Sequence, residues 1–386
     1  MEKLSQEELI NLIKSIFPRL EQDRQLAILV DIPRDHQTDN PSWKLRREIC
    51  LDWFLVLKEN INQLELETVC LIAYPEVGSN NADLPEEAFD IFNQLPARAG
   101  DLADYGNPVE FNQVFSDFQL FLAPTEYSTT APLKNAAKRF GFRAGTMPGF
   151  SPAMIPALRI DYQEVSRRVA ILKDKLDPAQ WAEVVFSVDQ NKRYQIRFDL
   201  RNRSAHLSSG RFPKPGIAGN VPSGETYIVP YEGESDPSLT SGILPVQLGQ
   251  HVLLFDIHEN RAIEVRSESG IQELESLNSE QEHLRREPAY GNMAELGFGV
   301  LGDFGLEPIG EILLDEKLGF HVAFGRSDHF GGIVGPSDFS SPAEVIHLDR
   351  VYIPSLQPRI AVKSLVLGEN GSKIEAIIKD GQYLIF

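Results

Sequence analysis

The sequence predicts a mixed α/β and α+β protein, with an N-terminal layered α/β domain built on a mostly parallel sheet and a C-terminal β-rich domain. Three observations support this prediction. Apolar runs alternate with helical patterns over the first part of the chain, short alternating strands dominate the second part, and 386 residues are too many for one ordinary core. We therefore expect the domains to cover residues 1–175 and 176–386.

Helices and buried strands alternate in the N-terminal part. Ser5 precedes a helical pattern as an N-cap, and residues 26–32 and 68–74 are nearly continuous apolar runs, typical of strands buried on both faces. The segment 111–118 is helical in pattern, and residues 120–124 form a third strand. This βαβ order predicts a parallel sheet.

The pattern changes after an amphipathic helix over residues 165–176. Short alternating strands follow, for example at 193–199 and 251–256, and residues 272–286 form a charged helical segment. Near the end, Asp380-Gly381 separates two strand patterns and predicts a tight hairpin. The C-terminal domain is therefore β-rich.

Composition excludes several classes of function. There are 56 acidic and 37 basic residues, which gives a formal charge of −19 and makes binding to nucleic acid or to anionic membranes unfavourable. The N-terminus lacks a signal core, and no apolar run approaches the roughly 20 residues that span a bilayer. We expect a cytoplasmic protein in which Cys50 and Cys70 are reduced thiols.

One glycine motif invites a cofactor interpretation that its context does not support. Gly297-Phe-Gly299-Val-Leu-Gly302 has the spacing of a dinucleotide fingerprint, but it follows Glu295 rather than an apolar strand. Pro308 also interrupts any following helix. These glycines are better explained by a tight bend close to a ligand.

Acids and histidines gather in the C-terminal half of the chain. Donors of this kind and number are what a site for two divalent cations needs, because a bridging carboxylate lets the ions share ligands. Each residue also has a structural interpretation: an exposed acid at a strand start for Glu225, and a hydrogen-bonded core histidine for His321. His347 and Asp349 lie on one face of an extended segment, because side chains there alternate with period two.

These residues carry a family resemblance. Asn220-Val-Pro-Ser-Gly-Glu225, Ala294-Glu295-Leu-Gly-Phe-Gly299, Glu316 five residues before His321, and His347-Leu-Asp349 resemble the aminopeptidase T family of dinuclear metallopeptidases over about half of the chain. The resemblance implies an aminopeptidase that holds two zinc, cobalt or manganese ions, acts on peptides or small amides and forms a homodimer. It also implies a bridging role for Glu295 among six metal ligands: Glu225, Glu295, Glu316, His321, His347 and Asp349.

The chain departs from the family at one position. Family enzymes generally place a tyrosine seven residues beyond the histidine that matches His321, and here that position is Asp328, followed by His329. Asp328 and His329 either replace the tyrosine in catalysis or orient the ligands. We favour the second role.

The resulting hypothesis is a metallo-aminopeptidase in which two ions activate a shared water and Glu225 or Glu316 passes a proton to the leaving amine. Two alternatives stay open. His321, His347 and Asp349 also form the two-histidine, one-carboxylate set of an Fe(II) oxygenase, and the dihydroxypyridine dioxygenases resemble the same C-terminal scaffold. The second alternative is a metal-binding relative of these enzymes without catalytic activity.

Overall fold

The computed structural model describes residues 2–369 and 372–386, and the side chains of all of these except residues 373 and 374. Twenty strands are formed within this described part. They are β1 (Gln25–Ile32), β2 (Thr68–Pro75), β3 (Glu87–Ile91), β4 (Gly106–Glu110), β5 (Leu120–Ala123), β6 (Arg143–Thr146), β7 (Trp181–Val188), β8 (Lys192–Asp199), β9 (His206–Ser208), β10 (Ile217–Asn220), β11 (Glu225–Ile228), β12 (Ser241–Leu248), β13 (His251–His258), β14 (Arg261–Ser267), β15 (Met293–Gly299), β16 (Phe320–Gly325), β17 (His347–Val351), β18 (Ile360–Glu369), β19 (Ser372–Lys379) and β20 (Gln382–Tyr383).

Ten α-helices accompany the strands in the same described residues. They are α1 (Gln6–Ile16), α2 (Pro41–Glu59), α3 (Ile61–Leu64), α4 (Leu102–Tyr105), α5 (Phe111–Asp117), α6 (Thr130–Phe140), α7 (Ile155–Leu158), α8 (Tyr162–Leu176), α9 (Glu275–Arg286) and α10 (Ile312–Asp315). None of the helices in the described part of the chain is both long and apolar enough to cross a bilayer.

The chain divides into two compact units. Unit 1 comprises Met1–Ser166 and Ser208–Ser223, and unit 2 comprises Arg167–Leu207 and Gly224–Phe386. The division falls between Ser166 and Arg167, inside α8, whereas the sequence analysis expected the boundary after residue 175, near the end of this helix. The short segment 208–223, which contains β10, returns to unit 1.

Unit 1 is built on a seven-stranded mixed sheet in the order β10-β6-β5-β1-β2-β3-β4. The strands from β10 to β2 are parallel to their neighbours, as the βαβ pattern predicted. At the other edge, β3 and β4 are added antiparallel. One face of the sheet packs against α5 and α6 through an aromatic core that includes Phe111, Phe115, Phe121 and Phe142.

Unit 2 contains two antiparallel sheets. One has eight strands in the order β14-β13-β12-β8-β7-β18-β19-β20, and the other has five in the order β17-β16-β15-β11-β9. Phe320 and Phe324 of β16 pack against Phe186 and Phe255 of the larger sheet, with ring centroids 6.4 and 5.2 Å apart. One face of the five-stranded sheet is thereby buried in a sandwich core.

Local predictions from the sequence are confirmed at several elements. Ser5 caps α1 with a capping box formed with Glu8. Asp380 and Gly381 both have positive φ in the turn between β19 and β20, as a tight hairpin requires. Both cysteines are free, with Cys50 buried and Cys70 half-buried.

A buried ion pair fixes the start of β6 in unit 1. The guanidinium of Arg143 is buried, donates to the carbonyls of Pro18 and Phe212 at 2.8 Å each, and contacts the buried carboxylate of Asp23 at 2.5 Å. Its hydrogen bonds therefore hold three separate segments of the unit together.

We expect Arg143→Met to lower the free energy of unfolding by about 3–5 kcal/mol, because the buried carboxylate of Asp23 would keep only the N–H of Leu20 and the more distant guanidinium of Arg19 as partners. Urea denaturation measures this change. Lys138→Met, at an exposed position of α6, is the matched control. A loss no larger than that of the control would contradict the proposed role of the pair.

Candidate metal centre

The candidate ligands lie on one face of the five-stranded sheet. Directly paired residues of neighbouring strands point to the same face. The register pairs Gly297 with His321 and Ala323 with Asp349, and so aligns the strands across the sheet. We call this face, opposite the sandwich core, the polar face; it carries Glu225, Glu295, His321, His347 and Asp349.

A β-bulge brings Glu295 to this face. Met293 is paired with Phe324, whose ring packs in the sandwich core, whereas Glu295 is paired with Ala323. Strict alternation would put Met293 and Glu295 on the same face. The extra residue, Ala294, lets the methionine enter the core and turns the glutamate to the polar face.

Two glycines of β15 make room on the polar face. A Cβ atom at Gly297 would lie 1.9 Å from Nε2 of His321, and one at Gly299 would lie 2.3 Å from the carbonyl carbon of Lys317. The imidazole can therefore lie across β15, and the 3-10 turn Glu316–Leu318 can pack close over the strand. Both glycines belong to the motif whose dinucleotide interpretation was rejected above, and a close approach explains them.

The ligand atoms form two groups that share Glu295. Glu225, Glu295 and His321 form one group, and Glu295, His347 and Asp349 form the other, with the ligand atoms of each group within 4.8 Å of one another. Oε1 of Glu295 lies 3.3 Å from Nε2 of His321, and Oε2 lies 3.2 Å from Nε2 of His347. The two carboxylate oxygens therefore face two different histidines.

Backbone carbonyls orient both imidazoles. Nδ1 of His321 lies 3.1 Å from the carbonyl oxygen of Gly319, and Nδ1 of His347 lies 2.8 Å from that of Arg326. An imidazole that donates from Nδ1 to a carbonyl presents the lone pair of Nε2 in its neutral form. Both Nε2 atoms point to Glu295, so they are placed as metal ligands would be.

The electrostatics of the polar face favour a cation. Burial disfavours the charged form of Glu295, but hydrogen bonds with His321 and His347 hold the pKa of this carboxyl well below its usual range. Burial also disfavours the imidazolium forms, yet the facing carboxylates raise the pKa of His321 to about 10 and that of His347 to about 11. A divalent cation would supply this positive charge in place of the imidazole protons.

Asp349 has a buried oxygen that fits the same interpretation. Its Oδ1 lies 3.6 Å from Nε2 of His347, and within the described residues it has no hydrogen-bond partner. A buried carboxylate oxygen without a partner is costly. Coordination of a metal ion would remove this cost, so the residues present fit such an ion.

Glu316 lies beside the two groups but belongs to neither of them in the described part of the chain. Its carboxylate contacts the buried ammonium of Lys317, which also lies 3.2 Å from Oε1 of Glu225. Burial raises the pKa of Glu316 to about 8. Its assignment as a metal ligand stays a prediction. Sequence reasoning missed Lys317. A lysine beside a glutamate in the sequence gives no sign that its ammonium group is buried.

The region of the expected tyrosine holds a histidine and a phenylalanine near His347. The rings of His329 and Phe330 have centroids 5.4 and 5.2 Å from that of His347, whereas Asp328 is exposed and pairs with Arg326. Tyr227, which the sequence analysis missed, packs on Phe330 at 4.8 Å. Tyr227 follows Glu225 by two residues in β11. Because side chains alternate along a strand, this spacing was a sequence signal that the two residues share a face.

Comparison with known proteins agrees with this fold. No family model matches the chain, and no curated protein matches it. A 2,5-dihydroxypyridine dioxygenase from Pseudomonas putida KT2440 is similar in structure, with a TM-score of 0.60, 14% identity and coverage of 99% of this chain and 98% of that one. AmpT from Thermus thermophilus, an aminopeptidase T, has a TM-score of 0.53 at 12% identity, with 98% of each chain covered. These similarities show the fold alone and favour neither activity.

We expect Gly297→Ala to weaken binding of divalent metal by at least about 10-fold, because the new methyl group would displace the imidazole of His321. Competition with a chromophoric zinc chelator measures the affinity, and circular dichroism checks the fold. Gly100→Ala, where a Cβ atom would meet nothing within 4 Å, is the control. Unchanged affinity in a folded Gly297→Ala protein would contradict the role assigned to this glycine.

Proposed function

We propose that the protein is a metal-dependent aminopeptidase that removes N-terminal residues from peptides or small amides. The observation that carries this proposal is the position of Glu295, whose two oxygens face His321 and His347 from two separate ligand groups. A shared carboxylate is what a site for two ions requires. A mononuclear centre would not need it.

The candidate ligands divide into one set for each of two ions. Glu225, Glu295 and His321 would hold one, and Glu295, His347 and Asp349 would hold the other. When bound, divalent ions such as zinc, cobalt or manganese polarise a carbonyl group and lower the pKa of a bound water to near 7. Such chemistry suits hydrolysis of an amide bond.

Glu316 is the residue best placed to transfer the proton. It lies outside both ligand groups, so its carboxylate is not committed to an ion in the arrangement described. Lys317 contacts Glu316 and Glu225 together and therefore fixes their positions. We assign to Glu316 the uptake of the proton from water and its delivery to the departing amine, and to Lys317 the positioning of Glu316.

The charge of the site suits two divalent ions. Four carboxylates, those of Glu225, Glu295, Glu316 and Asp349, converge beside the ammonium of Lys317. Two divalent ions would offset these four negative charges, so the preference for a free amino terminus rests on the family resemblance and not on the charge of the site. Assembly into a homodimer and a cytoplasmic location are further parts of the proposal.

A second candidate rests on His321, His347 and Asp349, which offer the ligand set of a mononuclear Fe(II) oxygenase on one face. The geometry favours the first candidate. Among the described residues, these three do not form a common group: His321 groups with Glu225 and Glu295, and His347 and Asp349 group with Glu295.

Metal analysis separates the two candidates. We expect the purified protein to bind two divalent ions per chain and to lose hydrolysis of aminoacyl-arylamides on chelation, with recovery when zinc, cobalt or manganese is added back. Elemental analysis paired with the activity assay measures both. One iron per chain with oxygen consumption would favour the oxygenase instead, and bound metal without hydrolysis of any peptide tested would indicate a non-catalytic relative.

We expect Glu295→Gln to lower kcat/KM by at least about 100-fold while the fold is kept, because an amide cannot bridge two cations as a carboxylate does. Steady-state kinetics and thermal unfolding check the two parts of this prediction. The control is Glu264→Gln, at an exposed position of β14. A fully active Glu295→Gln enzyme would remove the bridging role.

A further inference from the structure

The strand that carries His347 and Asp349 is at the edge of its sheet. β17 has β16 on one side and no neighbouring strand on the other within the described residues. The N–H of Tyr352 donates to the carbonyl of Phe320, so these two residues form a hydrogen-bonded pair. Hydrogen-bonded and non-hydrogen-bonded pairs alternate along an antiparallel ladder, so His347 and Asp349 belong to non-hydrogen-bonded pairs. Their backbone N–H and C=O groups therefore point away from β16, to the open edge.

These edge groups lack partners. The carbonyl of Val351 accepts from Nε2 of Gln357 at 2.9 Å, which closes one end of the edge. The backbone N–H and C=O groups of His347 and Asp349 have no hydrogen-bond partner anywhere in residues 2–369 and 372–386. Four groups are therefore available, at the two-residue spacing with which an extended chain presents its own.

A groove of about 230 Å³ lies along this edge. Asp349, Arg350 and Val351 of β17 contribute to its lining. The other lining residues are apolar or small at Gly310, Ile312 and Leu356, and polar at Gln247, Asp315 and Gln357. Ile312 and Leu356 expose 53% and 39% of their surface, although both are apolar. The groove thus combines unpaired backbone groups with two exposed apolar side chains, and charged and amide side chains line the rest of it.

We propose that this edge binds the part of a peptide substrate beyond its scissile bond, as an extended strand added to β17. The inference rests on the proposed function. Asp349 belongs to both features, since its side chain faces the candidate metal centre and its main chain faces the groove. In this proposal the scissile bond lies over the candidate metal centre, the residues that follow it turn at Asp349 onto the edge of β17, and Ile312 and Leu356 contact their side chains.

The first test uses the wild-type holoenzyme and a series of peptide amides that share one N-terminal residue. We expect kcat/KM for the pentapeptide to exceed that for the dipeptide roughly tenfold or more, because several backbone hydrogen bonds are added. Peptides with a single N-methyl group at residue 3, 4 or 5 then show which backbone N–H groups form these hydrogen bonds. In an added strand alternate N–H groups face β17, so methylation at residue 4 will differ from methylation at residues 3 and 5.

The outcomes are distinct. Equal kcat/KM for short and long peptides, or equal effects of all three N-methyl groups, would overturn the inference and leave the aminopeptidase proposal standing. So would a stable dimer in which a second copy of the chain pairs with β17. If no amide is hydrolysed, the proposed function fails, and calorimetric binding of the same peptides then tests the groove. If the peptides do not bind, or if N-methylation at residues 3, 4 and 5 changes their affinity equally, the inference is overturned as well.

A pair of variants tests the apolar side of the groove. Ile312→Asn lowers kcat/KM for the pentapeptide several-fold and leaves the dipeptide unchanged. Ile263→Asn, which replaces an isoleucine exposed to 67% in β14 outside the groove, changes neither. An equal effect of Ile312→Asn on both peptides would contradict binding along this groove.

Discussion

The burial of one carboxylate between two imidazoles is the constraint on which the candidate site depends. Glu295 lies in the middle strand of a sheet whose other face is a packed aromatic core, and a charge in such a place must be compensated. His321 and His347 provide that compensation from the next two strands. The other features of the polar face follow from this arrangement, because the imidazoles need space, fixed orientation and a rigid support.

The sandwich of unit 2 supplies the rigid support. Candidate ligand side chains alternate with core residues along the same strands, so a shift of β16 would disturb the packing of Phe320 and Phe324 as well as the position of His321. The positions of the candidate ligands are therefore tied to the aromatic packing between the two sheets of unit 2. The solved structures of a dioxygenase and of an aminopeptidase T share this fold, so the fold alone does not decide between the two activities.

Sequence reasoning succeeded where the information is local. The buried strands β1 and β2 are apolar runs, and the alternation of His347 and Asp349 in β17 can be read from two residues. The antiparallel edge strands of unit 1 were not predicted, because β4 is short and contains Pro108, which weakens its strand pattern. The approach of Glu225 to Glu295 depends on strand pairing across seventy residues, which local pattern does not encode; the family resemblance supplied that link. Lys317 and Phe330 lie in 3-10 turns, where no periodicity reveals the direction of a side chain.

The extra residue in β15 has a consequence for how related chains are compared. Met293 and Glu295 differ by an even number of positions and still face opposite sides. An alignment that treats the strand as strictly alternating will therefore match the glutamate to a core residue or place a gap beside it. Structure-guided alignment, and any attempt to transplant this candidate centre to another sheet, must preserve the extra residue of the bulge together with the candidate ligands.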